Sequence, residues 1–201
     1  MPLPDLETVR AALAPLESIL TNAYLQAWRD WQAAGLTHWR KRGRANYVWE
    51  QATHHALLNV SQRPDVTVIV KNESYHFLVD EAVSFRMKKA DNSGFTSNYP
   101  TQEALAFHDS QQPLTGIPAA QRVEVTYTLN KAETDISDIV VVAREGDNIS
   151  WSYSLMGIDA VAALPGGTGK STSAEDMGST GLVRSKSHKN KQNHAGDAGE
   201  Q

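Results

Sequence analysis

Between Ser61 and Val66 the spacing of apolar residues changes from three- and four-residue steps to alternation, so helices precede a sheet in this chain. On the N-terminal side, Leu6, Val9, Leu13, Leu16, Leu20, Tyr24, Ala27 and Trp31 draw one stripe along about seven helical turns. Pro4 and Asp5 suit its start, Gly35 suits its end, and Pro15 should kink it because proline removes a backbone donor and crowds the turn before it. The stripe either packs on its own domain or forms a dimer seam with a second copy. A second helix is expected from Ala45 to Val60, burying Val48, Trp49, Ala52, Ala56 and Val60, and Arg63-Pro64-Asp65 ends it.

Beyond that break, the β-branched run Val66 to Val70 and the segment Tyr75 to Val79 flank the turn residues Lys71 to Ser74, which predicts a hairpin. After the acidic turn Asp80-Glu81, Val83, Phe85 and Met87 alternate with Ser84, Arg86 and Lys88, which reads as a half-buried strand with cations on its polar face. Ala90 to Pro100 reads as a loop, with a short helix capped by Thr101 running to His108. An irregular crossing from Gln111 to Ala120 leads to three strands, Arg122 to Leu129, Ile136 to Ala143 and Asn148 to Leu155, the last two joined by a tight turn at Glu145 to Asn148. The order ααβββαβββ predicts an α+β fold: two N-terminal helices and a largely antiparallel sheet of about six strands with one inserted short helix. Residues 1–164 are expected to form one such domain. From Pro165 the composition turns to Gly, Ser, Thr, Lys, Asn and His, which cannot bury enough apolar surface to offset its ordering entropy, so 165–201 reads as a disordered polar tail.

The chain has no cysteine, which removes disulfides, thiolate metal sites and cysteine nucleophiles. Asp5 and Glu7 stand where a signal peptide needs basic and then apolar residues, and no apolar run of about 18 residues occurs, so a cytoplasmic chain without membrane contact is expected. Acids outnumber cations over residues 1–164, which excludes a wholly basic nucleic-acid module but leaves room for a local patch.

That patch is Trp39, Arg40, Lys41, Arg42 and Arg44, where cations beside an aromatic suit weak phosphate contact with base stacking. Its plainer reading is a solvated turn whose cations pair with acids of the first helix such as Glu17 or Asp30. Adjacent His54 and His55 point about 100° apart on a helix and lie in no HExxH pattern, so no metal site is expected of them. Gly166-Gly167-Thr168-Gly169-Lys170-Ser171-Thr172 is similar to a phosphate-binding loop, but Leu164 stands where the standard spacing needs glycine and no strand–helix frame surrounds it. No cofactor is expected. Ser84, Ser97 and Ser137 sit in no nucleophile motif.

The helix, three-strand, helix, strand order from Ala45 to Leu129 resembles the core of PD-(D/E)xK nucleases, in which strand acids and a lysine hold a divalent metal and orient water. That resemblance would give Glu50, Asp80 and Lys88 catalytic posts. Arg86, two residues before Lys88, stands where the pattern has an acid.

FLVDEAVSFRMKKADNSGFTSNYPTQEALAFHDSQQPLTGIPAA through VEVTYTLNKAETDISDIVVVAREGDNISWSYSL, within residues 45–156, resembles an uncharacterised family of bacterial and prophage proteins associated with genes for helix-turn-helix proteins bearing a zinc-peptidase domain. The resemblance implies a small regulatory or toxin–antitoxin-like protein acting on a partner, with any zinc site in that partner. The leading expectation is therefore a non-enzymatic protein-binding component of a regulatory or phage-defence pair, with a metal-dependent nuclease or other nucleic-acid-acting toxin as the alternative. The partner surface expected from the sequence runs from Tyr75 to Lys89 with the Phe95–Pro100 loop, using Arg86, Lys88 and Lys89 as charges and Phe95 and Tyr99 as aromatic anchors.

Overall fold

In the computed structural model, the described residues are 3–71, 73–91, 93–96, 102–109, 111–114 and 116–157. Thr101 and the tail boundary at Pro165 lie outside them, as do the tail itself and its glycine-rich motif. The elements in order are α1 (Leu6–Leu13), a 3-10 turn (Ala14–Leu16), α2 (Glu17–Ala34), α3 (Lys41–Val60), β1 (Val66–Lys71), β2 (Ser74–Val79), β3 (Val83–Lys89), α4 (Gln102–Phe107), β4 (Gln121–Leu129), β5 (Ile136–Glu145) and β6 (Asn148–Ser154). The strands form one sheet in sequence order, and every pairing is antiparallel except β3 with β4. The fold is α+β, as the order of apolar periods predicts. No helix among the described residues is long and apolar enough to cross a membrane.

The first helical stretch is split where Pro15 falls, with the 3-10 turn between α1 and α2. Asp5 is the N-cap of α1, its carboxylate accepting from the Thr8 backbone N–H at 2.8 Å, so Pro4 lies just outside the helix rather than in its first turn. Gly35 closes α2 in the left-handed conformation at φ 61°. Val9, Leu13, Leu16, Leu20, Tyr24 and Ala27 are all buried in the core shared with α3 and one face of the sheet. The stripe is therefore consumed inside its own domain and is not open as a dimer seam.

The second helix starts earlier than the apolar pattern indicates, because Lys41 to Arg44 form its first turn. Trp39 folds back over that turn, and a Cβ at Gly43 would stand 2.9 Å from its ring, so a larger residue there would displace the indole. Trp39 also meets Tyr47 edge-on and Trp31 at a tilt, with centroids 6.3 and 6.0 Å away.

One helix side chain reaches into the sheet. The Tyr24 hydroxyl donates to the Val125 carbonyl at 2.7 Å and accepts from the Lys88 N–H at 2.9 Å, which ties α2 to the parallel β3–β4 pair. Burial pushes its phenol well above the ordinary range, so it remains a neutral donor and acceptor. Tyr24→Phe keeps the ring but leaves the Lys88 N–H and Val125 carbonyl without that partner. It is expected to lower unfolding free energy by about 1–3 kcal/mol, read by urea denaturation with unchanged slope.

Candidate functional site

Side chains of β3 and β4 alternate between two covered faces. Val83, Phe85, Met87, Val123, Val125 and Tyr127 join the helical core. The opposite face carries Ser84, Arg86, Arg122, Glu124 and Thr126, all buried, because α4 and its flanking loops lie over it. The half-buried strand expected at 83–89 is thus buried on both sides through Met87, and Arg86 is only 4% exposed.

Parallel pairing puts Arg86 directly beside Glu124. An Arg86 Nη donates to Glu124 Oε1 at 3.0 Å, and its guanidinium lies 3.6 Å from the centroid of the Phe107 ring, on α4. The second Glu124 oxygen accepts from the Thr96 hydroxyl at 2.9 Å. Arg144 of β5 donates to Thr96 Oγ1 at 3.1 Å, approaches Glu124 at 3.8 Å and lies over the Phe95 ring at 5.0 Å. Arg122 spans the exit of α4, donating to the carbonyls of Ala106 at 2.7 Å, Asp109 at 3.0 Å and Gln112 at 2.6 Å. The Ala106 and Asp109 carbonyls also accept from the backbone N–H groups of Asp109 and Gln112, at 3.4 and 3.2 Å, so Arg122 adds to bonds that already hold this exit. Three arginines from three adjacent strands thereby fasten the segments around Thr96 and α4 to the sheet.

His108 Nε2 sits 3.5 Å from both Arg86 and Glu124. Burial pulls its pKa down to about 4, more than the neighbouring Glu124 carboxylate raises it, so the ring is neutral at pH 7. Lys88 is lowered by burial first and by Arg86 second. The chemistry of this network is positional: each charged head has an opposite charge, a hydroxyl, a carbonyl or a ring against it.

The structure does not assemble the nuclease posts. Asp80 lies exposed in the β2–β3 turn, with Asp80 at φ 48° and Glu81 at φ 56° serving the turn geometry. Lys88 is at the other end of β3, five strand steps or roughly 16 Å beyond Val83. Glu50 is exposed on α3, where it borders a groove that neither Asp80 nor Lys88 lines. Among the described residues no group of three or more His, Asp or Glu side chains could hold a metal ion.

Of the expected partner residues, Arg86 is enclosed in the ion network, Lys88 and Lys89 are half-buried, Phe95 is half-buried under Arg144, and Tyr99 lies outside the described residues. In the basic cluster, Lys41 and Arg44 both pair with Glu133 of the β4–β5 turn rather than with an acid of the first helix, and Arg44 lies 5.7 Å from the Trp28 ring. Asp30 instead bonds His55 at 2.7 Å, and that contact lowers its pKa. Arg40 and Arg42 are exposed, with no ion pair among the described residues.

An open groove of about 700 Å³ runs between α3 and the β1–β2 hairpin, lined by Trp49, Thr53, His54, Leu57, Val70 and Tyr75, with Glu50 and Glu73 at its rim. It exists because β2 pairs with β3 only from Phe77 to Val79, so the two strands part beyond that point. Trp49 is held by donating Nε1–H to the Met87 carbonyl at 2.9 Å. Compared with protein-family models, with curated proteins and with solved structures, the chain matches none.

Glu124→Ala removes the buried carboxylate that accepts from Arg86 and from the Thr96 hydroxyl and is expected to cost about 3–5 kcal/mol in urea denaturation. The histidine gives a pH signature. The folded His108 pKa of about 4 lies below the ordinary 6.5, so the unfolded chain binds the extra proton between those values. Stability from this group is complete above pH about 6.5 and is lost as pH falls towards 4, by at most ~1.4 kcal/mol per pH unit. His108→Gln should flatten that part of the stability–pH curve relative to wild type.

Proposed function

We propose that this chain is a non-enzymatic protein-binding component, regulatory within a pair formed with another protein encoded by an adjacent gene, of the toxin–antitoxin or phage-defence kind. The observation that carries the reading is the contrast between its two polar–aromatic sites. The charged cluster on the sheet is closed and internally paired, while the open concavity is lined by Trp49, Leu57, Val70 and Tyr75 with acids at the rim. Such a lining suits an apolar or aromatic side chain of a partner with a cation beside it, the arrangement of an interface anchor. Tyr75 keeps its place in the partner surface expected from the sequence, while Arg86 and Phe95 give way to α3 residues. Nucleic-acid contact in this reading is weak and confined to Arg40 and Arg42, and the cytoplasmic setting belongs to the same proposal.

The test combines binding with a search for cleavage. Titration of the adjacent-gene product into the full chain is expected to show a one-to-one complex. Glu50→Lys, a change at an exposed position, should weaken it about tenfold, equivalent to ~1.4 kcal/mol. DNA and RNA should survive incubation with the protein in magnesium and in manganese. Metal-dependent cleavage abolished by Asp80→Asn and by Lys88→Ala would replace the binding role with the nuclease.

A further inference from the structure

The geometry points to a second copy of this chain as the occupant of the free β1 edge, the two β1 strands pairing antiparallel across a two-fold axis at Val68. β1 is the outer strand of the sheet, without a register shift along its pairing with β2. Its backbone polarity can be read from its ends. The Asp65 carbonyl accepts from Asp80 N–H, so odd positions face β2, whereas Val66 N–H turns back to the Arg63 carbonyl at 3.4 Å. By alternation, the N–H groups of Val68 and Val70 and the C=O groups of Val66, Val68 and Val70 point away from the sheet, the template onto which a further strand adds. Val70 is 60% exposed. The opposite edge differs: the pairing of β6 shifts register beside Ala143 and Arg144, and the chain start crosses Trp151, whose Nε1–H donates to the Pro4 carbonyl at 2.7 Å.

Charge selects the occupant and the register. With Val68 opposite Val68, residues whose numbers add to 136 face one another across the axis. Asp65 then meets Lys71, a pair that occurs twice in the isologous contact. Asp65 and Lys71 hold non-hydrogen-bonded positions of the new pair, where side chains approach most closely, and opposite charges there are favourable. Sliding the axis one residue towards Thr67 sets Asp65 against Ile69, and sliding it towards Ile69 sets Lys71 against Thr67, so either neighbouring register loses the opposite-charge pair. Arg63 and Asp65 already bond within one chain at 2.6 Å, so Arg63, Asp65 and the facing Lys71 form a three-charge cluster at each end of the new ladder. Pro64, at an outward position with no N–H, stops the ladder from extending past Asp65. The result is a closed dimer with a continuous twelve-stranded sheet, with α1, α2 and α3 of both copies on one side.

The experiment is sedimentation equilibrium of the full 201-residue chain, where a species of twice the 22.1 kDa chain mass is expected. Val68→Pro removes a donor aimed away from β2 and should raise the dimer dissociation constant at least about tenfold, with circular dichroism unchanged. Lys71→Glu should weaken the dimer by placing a second acid opposite Asp65, and Asp65→Lys in the same chain should restore it. Should Val68→Pro fail to fold, Val70→Lys at an exposed position gives the same comparison. Glu50→Lys, which tests the groove, leaves the dimer intact, so the two readings fail separately. A chain that remains monomeric at about 0.1 mM protein, or a dimer indifferent to the β1 and charge-swap variants, overturns the assignment.

Discussion

The Glu124 carboxylate, 1% exposed and lying between the guanidinium groups of Arg86 and Arg144, is the contact on which the outer half of this protein depends. Removing a carboxylate and a guanidinium from water is expensive, and that cost is offset only when the partners are close and the remaining lone pairs are bonded. Here the second oxygen has the Thr96 hydroxyl, and the planar face of Arg86 has Phe107. The consequence is positional specificity: Thr96 and α4 are brought to one place on the sheet, and β3, β4 and β5 are crosslinked side chain to side chain. A hydrophobic cluster of Phe107, Leu114 and Ile117 completes that layer, with Ile69 of β1 packed against it.

The helical half is assembled by different physics. Its core is apolar burial of α1, α2 and α3 on the other sheet face, and its specificity comes from a few polar tips that reach the backbone. Tyr24 and Trp49 both bond main-chain atoms of β3, from α2 and α3 respectively. Tyr24 contributes a buried ring, Trp49 a half-buried one, and each makes directional bonds that set where its helix sits along the strand. The parallel β3–β4 pair is thus gripped from both sides, by hydroxyl and indole from α2 and α3 and by the ion network that lies beneath Phe107 of α4.

This double coverage narrows where interaction with other molecules takes place. The sheet centre is closed on both faces, while the groove beside α3 and the β1 edge are accessible among the described residues. The groove opens where β2 parts from β3 beyond Phe77, and the edge is free because β1 is the outermost strand of the sheet.

Much of the architecture was legible in the residues. The spacing of Leu6 to Trp31, the position of Pro15, the αL stop at Gly35 and the alternation from Val66 onward led to the correct element order, because helix and strand periods are local properties. The start of α3 was missed, since Lys41 to Arg44 carry no apolar signal and their place in the helix rests on Trp39 packing over Gly43 and on Glu133, some ninety residues away. The candidate site was hardly visible. Arg86 and Lys88 on an alternating strand read as a solvent face, and Glu124 within VEV reads the same way, because periodicity reports that two faces differ but not whether the polar one is covered. A charge at an alternate position of each of two neighbouring apolar strands was the available signal, and only the register of β3 on β4 turns it into an ion pair. Sequence alone determined the kinds of element and their order, through propensity and period. Tertiary structure alone decided that Arg86 and Glu124 meet, that Asp80 and Lys88 do not, and that β1 is an edge, because each depends on which strands lie side by side.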